Sequence, residues 1–535
     1  MKRIVRSSLL LVAMACVLVG CPGDGSDGPG PVVRVSSTAG CLTIAPGHPS
    51  GFTKAIGSTT DALVVRFDEL SLYRIDLQGE APRQLNTPPP LPEVPASCPS
   101  GIDSDSDGRG DEDWYLNQGF GKFGGCIGKV ASGQVLAISE NRVAVTTSNI
   151  EQILFLDAHS GELRNIQLDT PASSPSFDPA DWPFWPAFGD RPYRTAFSTL
   201  TCINEPGLVD SSGLPAPPFL RCDPTVEGFS TNFTADVALS ASRFFVATSN
   251  WVGQGRFLPG TVLVFDYDTS ISPPRVSPHE TSAVIRTTAY NATSITPYTT
   301  PSGRELLLVG LTGSILPDGS AVVTDSAIDV IDANSLTLIA TIPLGAAGLG
   351  FGRLAIDPTQ RIALAGSTIR RALYAIDLAA LDDPMLGLGP QTLPIILDGM
   401  TPGFRDARVY SDANPFVLPK RSDGPLDTRC FSNTSVAIKN NGSFVAASDK
   451  CDGTITRLEL SLPGARTDTI DPFSVLHSPE LLVVAAPFDA NGETRDIDRV
   501  LLRDGVPGID FTGPDLHYIA GQESGAACAF RVDAR

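Results

Sequence analysis

"RLAIDPTQRIALAGS", residues 353–367, is a short apolar alternation, a polar turn and a second apolar alternation. By period and punctuation that is a hairpin. The same design recurs as "VLAISENRVAVTTS" (135–148), "DVALSASRFFVATS" (236–249) and "SVAIKNNGSFVAAS" (435–448). Each hairpin is followed by a third strand that ends in an acidic residue: "ILFLD" at Asp157, "VLVFD" at Asp266, "LYAID" at Asp377 and "ITRLE" at Glu459. Weaker copies of that strand, "LYRID" ending at Asp76, "IDVID" at Asp332 and "CAFRVD" at Asp533, bring the count to seven units. Self-similarity on this scale marks a repeat architecture.

Several units continue past the acidic residue into a polar turn and a fourth strand, as in "DANSLTLIATIPLG" (332–345) and "DAHSGELRNIQLD" (157–169). Four antiparallel strands repeated seven times predict an all-β chain folded as a seven-bladed β-propeller, with six or eight blades as alternatives. Short strands alone also allow a β-sandwich or two stacked domains. Repetition of the whole hairpin-plus-strand unit favours the propeller. The run "AIDVIDANSLTLIATIPLG" followed by "GRLAIDPTQRIALAGSTIRRALYAIDL" resembles the YVTN-type propeller repeat over residues 320–380, and the likeness loosens elsewhere. The last acidic strand ends two residues from the C-terminus, so its blade lacks a fourth strand of its own. "VVRVS" (32–36) is expected to supply it and close the ring.

Composition agrees with many short strands and turns. The chain of 535 residues carries 50 Gly and 45 Pro, and only 18% of it is charged. An apolar content of 42% excludes wholesale disorder. A net charge of −20 argues against a nucleic-acid partner, because a phosphate backbone is held by a basic surface.

The N-terminus reads "MKRIVRSSLLLVAMACVLVGCPGDGSDGPGP". A basic start and an apolar run from Leu9 to Val19, too short for a comfortable span, have the layout of an export signal over residues 1–20. "LVGC" (Leu18 to Cys21) resembles the lipobox of bacterial lipoproteins. That resemblance implies cleavage before Cys21, a lipid on Cys21 and, with Pro22 rather than Asp next, transfer to the outer membrane, facing the periplasm or the surface. An ordinary secretion signal is the competing reading. Residues 21–31 are a Gly/Pro/Ser/Asp tether, and 32–535 form the propeller domain. No second apolar run of membrane length follows, so the membrane is met only through the lipid.

Apart from Cys16 and Cys21, eight cysteines remain, which in an exported protein points to four disulfides. Spacing suggests Cys98 with Cys126, Cys202 with Cys222 and Cys430 with Cys451, leaving Cys41 and Cys528 near the two ends. A bond between those last two, closing so long a loop, is worth on the order of 4 kcal/mol through the unfolded chain, less any strain.

Two long insertions interrupt the repeat, at about 86–127 and 170–229. In the first, Asp103, Asp105, Asp107, Arg109 (through its carbonyl) and Asp111 surround Gly108 with the alternation of a looped calcium site. Trp114 stands where an EF-hand requires Glu, so the stretch resembles the "DxDxDGxxD" repeats of thrombospondin type-3 modules instead. With no helical period on either side, the expected role is a structural clip holding one calcium ion, with an unliganded acidic linker as the alternative. "GFGKFG" (119–124) has dinucleotide spacing but no strand before it or helix after it, and reads as a turn. The second insertion sets Trp182, Phe184, Trp185 and Tyr193 among prolines, which offers a binding surface or a lid packed on one face.

Catalytic patterns are sparse. The five histidines share no zinc spacing, and no Gly-x-Ser-x-Gly elbow occurs. Asp157, Asp266, Asp332 and Asp377 stand at strand ends, where aspartate commonly caps a turn. The expected role is that of a monomeric binding or scaffold module for an envelope protein or glycan, more readily than an enzyme. The rival is a propeller enzyme of lactonase, quinoprotein or glycosidase type with its site in the central channel, and a purely structural envelope component is a third reading.

The acidic loop makes a direct prediction. Purified protein retains about one calcium per chain, and Asp103→Ala combined with Asp107→Ala loses it. Absence of calcium binding by calorimetry at millimolar concentration would reject the site.

Overall fold

Val143, Ala144 and Val145 are consecutive and fully buried, yet they belong to two different cores. Successive side chains of a strand point to opposite faces, so a strand without water on either side feeds two layers at once. The structure, a computed structural model, describes residues 35–43, 49–57, 61–66, 69–76, 83–85, 132–148, 151–168, 193–194, 196–199, 201–216, 228–253, 255–279, 284–314, 324–350, 352–359, 361–367, 372–389, 394–396, 416–417, 436–438, 445–449, 454–460, 476–484, 496–502, 516–521 and 526–532. All of them belong to one unit, Val33–Arg535. They are all-β, apart from one 3-10 turn at Ala379–Asp382. Among the described residues no helix is long and apolar enough to cross a membrane.

Seven sheets of four or more strands follow one another along these residues. The first joins Pro49–Lys54, Asp61–Arg66, Glu69–Asp76 and Arg83–Gln84. The second joins Ser132–Ser139, Arg142–Thr147, Gln152–Asp157 and Ala196–Ser198. The third is built on Thr234–Ser240, Arg243–Thr248, Pro259–Asp268 and Arg275–Pro278, with Val284–Tyr290 also paired to Pro259–Asp268. The fourth joins Ala292–Thr299, Glu305–Leu311, Ser326–Asp332 and Thr337–Gly345. The fifth joins Ala355–Asp357, Ile362–Gly366, Ala372–Asp377 and Phe416–Val417. The sixth runs from Val436–Ile438 through Val445–Asp449 and Thr454–Leu460 to Leu476–Val484. The seventh joins Asp496–Leu502, Leu516–Gly521, Ala526–Val532 and the N-terminal strand Val35–Thr43. Each acidic-ended strand of the repeat is the third strand of a sheet.

Alternation then stacks the sheets face to face. Val143 and Val145 meet Leu63, Val65 and Leu72 of the first sheet, while Ala144 joins Phe244 and Val246 of the third. Phe245 and Ala247 turn the other way, onto Leu307, Val309 and Leu311 of the fourth sheet. Leu306 and Leu308 in turn meet Leu364, Leu373 and Tyr374 of the fifth. Full burial of one such side chain is worth about 1.5–3 kcal/mol. The largest ring cluster lies between the second and third sheets, where Phe197 and Phe265 have centroids 4.5 Å apart and Phe244 and Tyr267 4.6 Å apart.

A buried carboxylate ties three sheets together. Asp236, at an irregularity in the first strand of the third sheet, has no exposed side-chain surface. It accepts from its neighbour Val237 at 2.7 Å and from the Ile295 amide of the fourth sheet at 2.9 Å. Arg353, leading into the fifth sheet, donates through Nε at 3.0 Å and Nη2 at 2.8 Å, and Nη2 also reaches the Val237 carbonyl.

Two sequence expectations need correction. Residues 157–169 do not supply the fourth strand of the second sheet: after one bridge between Leu156 and Leu163, Ile166–Leu168 leaves to pair in parallel with Arg275–Pro278 of the third sheet. The reason is burial, since Ile166 packs among Phe155, Phe265, Tyr267 and Val276. Ala196–Ser198 takes the vacated edge beside Gln152–Asp157, so part of the expected insertion 170–229 is sheet. The N-terminal strand Val35–Thr43 pairs with Ala526–Val532, and residues 32–34 of the expected stretch lie outside the described residues.

The register of the seventh sheet places Cys41 directly opposite Cys528. Partners across an antiparallel ladder lie about 4.5–5.5 Å apart between α-carbons, inside the range a disulfide spans. Non-reducing peptide mapping is expected to recover a Cys41–Cys528 linkage, and replacing both by Ser to cost on the order of 4 kcal/mol of unfolding free energy. Recovery of Cys41 joined to Cys98 would show the two ends paired otherwise.

Candidate functional site

The two ends of the sheet stack differ in chemistry. At the end where third strands finish, the acidic residues fold over the turn that follows. Asp157 Oδ1 accepts from the amides of His159 at 2.8 Å and Ser160 at 2.7 Å. Asp332 does the same for Asn334 and Ser335, and Asp377 for Ala379. Asp266 departs from the pattern because its strand runs on to Asp268, which caps the turn at Ser270; Asp266 pairs with Arg243 at 3.2 Å and His279 at 2.9 Å instead. Arginines cross from sheet to sheet here: Arg243 donates to the Ala333 carbonyl at 3.2 Å and Arg304 to the Leu386 carbonyl at 2.7 Å. These strand-end aspartates are turn formers and ion-pair partners.

At the opposite end, serines that close the second strands latch onto the next sheet. Ser148 donates to the Thr234 carbonyl and Ser249 to the Ala292 carbonyl, both at 3.0 Å. Each acceptor opens the first strand of the following sheet or stands in its first position. Residues 201–216 are seated over this end. The Ser211 amide donates to the Phe257 carbonyl at 2.8 Å, and its hydroxyl to Ser314 Oγ at 3.0 Å. Asp210 is buried, pairs with Arg256 at 3.2 Å and accepts from the amides of Ser212 and Leu214. Beneath them Ile203 and Ala216 pack with Phe229, Val252 and Leu258. The outward tip carries Val209 and Leu214, 38% and 52% exposed.

Two buried acids show what satisfaction means at this depth. Asp329 accepts from the Thr288 amide at 2.7 Å, the Thr288 hydroxyl at 2.6 Å and Thr341 at 2.8 Å. Burial raises its carboxyl, against the opposing pull of those donors. Glu151, in the turn between the second and third strands of the second sheet, is equally buried, but neither carboxylate oxygen has a hydrogen-bond partner. Burial pushes it to about 8, and only the Phe233 amide eases its charge, short of hydrogen-bond geometry. The sequence around it, "SNIEQ" (148–152), carries no motif that singles out Glu151. Its isolation depends on what the third sheet brings against it.

Few of the residues expected from sequence to form sites lie in the described parts. Cys21, Cys98, Asp103, Asp105, Asp107, Arg109, Asp111, Cys126, Trp182, Phe184, Trp185, Cys222, Cys430 and Cys451 lie outside the described residues. Tyr193 opens the strand Tyr193–Arg194 beside Ile166–Leu168. Cys202 begins a short strand paired with Phe229–Ser230 and is disulfide-bonded. Among the described residues no group of three or more His, Cys, Asp or Glu is placed to hold a metal ion.

No protein-family model matches the chain, and no curated protein matches it in sequence. Solved structures do resemble it in shape. The Cps50 (Swd1) beta-propeller domain of Myceliophteria thermophila is 11% identical with a TM-score of 0.42, covering 93% of this chain and 99% of that one. The Dos1 propeller is 10% identical with a TM-score of 0.44, over 93% and 97%. Kuenenia stuttgartiensis hydrazine synthase is 11% identical with a TM-score of 0.42, over 95% and 100%. Likeness of this degree identifies no relative and assigns no role.

Asp157 gives this geometry a pH signature. Burial raises its carboxyl, but the Ser160 amide, Arg164 and the His159 amide outweigh it and bring the group to about 2. A lowered acid contributes stability above its unfolded value near 3.8 and loses it as pH falls toward 2. Asp157→Asn is expected to be less stable than wild type by about 2 kcal/mol at neutral pH, at roughly 1.4 kcal/mol per unit, and equally stable near pH ~2. Denaturant titrations at several pH values measure the difference; a gap that persists unchanged in acid would contradict this.

Proposed function

We propose that the seven sheets are the blades of a seven-bladed β-propeller, held outside the cytoplasm by a lipid on Cys21, that works as a binding or scaffold module of the bacterial envelope. Support for the ring comes from the first strands, which lie side by side in chain order except between the fourth and fifth sheets, where Tyr298 packs with Leu354 and Ala355 in a shared core. Pro49–Lys54 neighbours Ser132–Ser139, that strand neighbours Thr234–Ser240, and Thr234–Ser240 neighbours Ala292–Thr299. Ala355–Asp357 neighbours Val436–Ile438, which neighbours Asp496–Leu502, and Asp496–Leu502 lies beside Pro49–Lys54 again. Pairing of Val35–Thr43 with Ala526–Val532 then joins the two ends of the chain within one blade.

The observation that carries the binding role is the seating of residues 201–216. This segment is fastened by Ser211 and Asp210, so its apolar tip at Val209 and Leu214 is presented to solvent on a rigid support. Preorganised apolar contact area costs little entropy on binding. The partner is an envelope protein or glycan, and the calcium clip and the disulfides keep the inter-blade insertions in place.

The test uses the full chain in its native envelope, fed with a tagged fatty acid. The label is expected on the wild type and absent from Cys21→Ser, which leaves the membrane fraction. A photo-crosslinking residue at Leu214 is expected to capture one discrete partner, whereas one at Met385, 68% exposed at the opposite end, is not. Label on Cys21→Ser would defeat the anchor, and equal capture from both positions would defeat the binding face.

A further inference from the structure

Glu151 and Asp329 are both carboxylates without exposed surface, and only Asp329 has donors. The backbone of Glu151 is left-handed at φ 47°, which a residue with a side chain holds only where its surroundings enforce it. A chain of hydrogen bonds runs from this turn into the segment that covers the end. The Glu151 carbonyl accepts from the Thr199 amide at 2.8 Å, and the Thr199 carbonyl accepts from Thr231 Oγ1 at 2.8 Å. Thr231 also holds Thr201, whose amide donates to Thr231 Oγ1 at 2.8 Å and whose carbonyl accepts from the Thr231 amide at 2.9 Å. Cys202–Ile203 then pairs with Phe229–Ser230. Residues 201–216 are thus rooted, through Thr199 and Thr231, on the turn that holds Glu151.

Among the described residues, no charge is brought to this carboxylate by the elements packed on it. On its own hairpin Thr147 and Gln152 bond each other, while Arg142 and Asp157 stand at the far end. Residues 199–203 and 229–234 contribute one ionisable type, Cys202, which is disulfide-bonded. Beyond them Asp236 is clamped by Arg353, and Arg286, over the Phe229 ring, pairs with Glu205 at 3.0 Å. Burial and the Phe233 amide are the two influences on Glu151, and burial dominates, bringing it to about 8. A carboxyl in this position is housed as the neutral acid, because an ionised one is an unpaired buried charge.

We infer that Glu151 is a proton-dependent catch: its turn closes on Thr199 while the carboxyl carries its proton, and residues 199–216 come loose when the proton leaves. An ionised carboxylate is stable in water, which it reaches when the turn at Glu151 parts from Thr199; the bonds of Thr231 to Thr199 and Thr201 then lose their anchor. Opening releases one proton, so its equilibrium depends on pH. The raised group keeps its proton in the closed state and gives it up in the open one between an unfolded value near 4.5 and about 8. Across that window the closed state is favoured in acid and loses stability as pH rises; above about 8 both states are ionised and the dependence ends. The catch is read without any partner, so it stands or falls apart from the binding role given to Val209 and Leu214.

The test is amide hydrogen exchange of the full chain between pH ~5.5 and ~9, each rate divided by the intrinsic rate at that pH, with circular dichroism confirming that the fold persists. The opening equilibrium of the amides of residues 199–203 is expected to rise about tenfold per pH unit up to pH ~8 and then to level off. In Glu151→Gln, whose side chain keeps the shape and cannot ionise, it is expected to be independent of pH. Infrared spectra of wild type carrying isotope-labelled glutamate are expected to show a protonated glutamic acid at pH ~7 that vanishes by pH ~9.5. Exchange without a pH slope, a slope that survives in Glu151→Gln, or no protonated glutamic acid at pH ~7 would each overturn the catch. Should Glu151→Gln fail to fold, the wild-type slope and the infrared band decide by themselves.

Discussion

Water is excluded from both faces of the central strands of this protein, and its architecture follows from that exclusion. A sheet with one wet face can stop at two layers. A strand such as Glu305–Leu311, buried along almost its whole length, needs a covering layer on each side. The second, third and fourth sheets each lie between two neighbours, and consecutive residues such as Phe244 and Phe245 are divided between them. A stack of such sheets ends only at a sheet whose outer face suits water. The ring of blades proposed above would leave no such end sheet.

Apolar layers fix distance poorly, and polar contacts at the edges of the stack supply the register. Asp236 reaches the fourth and fifth sheets from the third through Ile295 and Arg353. Removing two charges from water is costly, so such a pair adds little net stability over an apolar substitute. Its value lies in direction: only one placement of the three sheets satisfies the carboxylate. Arg243 and Arg304 act similarly at the opposite end, where each guanidinium seeks the turn of the next sheet.

The two ends are therefore unequal. Where third strands finish, aspartates and arginines satisfy one another and the turns. Where second strands finish, hydroxyl and amide side chains knit neighbouring sheets, residues 201–216 lie over the knot, and Glu151 is faced only by the Phe233 amide, short of hydrogen-bond geometry. Contrast with Asp329, equally deep but served by three donors, shows that burial alone does not isolate an acid.

The sequence by itself determined what depends on neighbours along the chain. Period-two alternation announced the hairpins, and the recurring acidic ending identified the third strand of every sheet, including the faint copies at Asp76 and Asp533. The role of Asp157, Asp332 and Asp377 was legible too, because a turn cap acts within two or three residues. Tertiary structure alone decided the rest. Ile166–Leu168 looks in sequence like a fourth strand of its own unit, but an apolar pocket in the next sheet offers Ile166 deeper burial than the local edge. Asp236 and Glu151 are ordinary letters in their stretches. Asp236 is clamped by groups 59 and 117 residues away, and Glu151 is buried against a sheet that brings it only the Phe233 amide; pairings over such separations are set by packing, on which local pattern is silent.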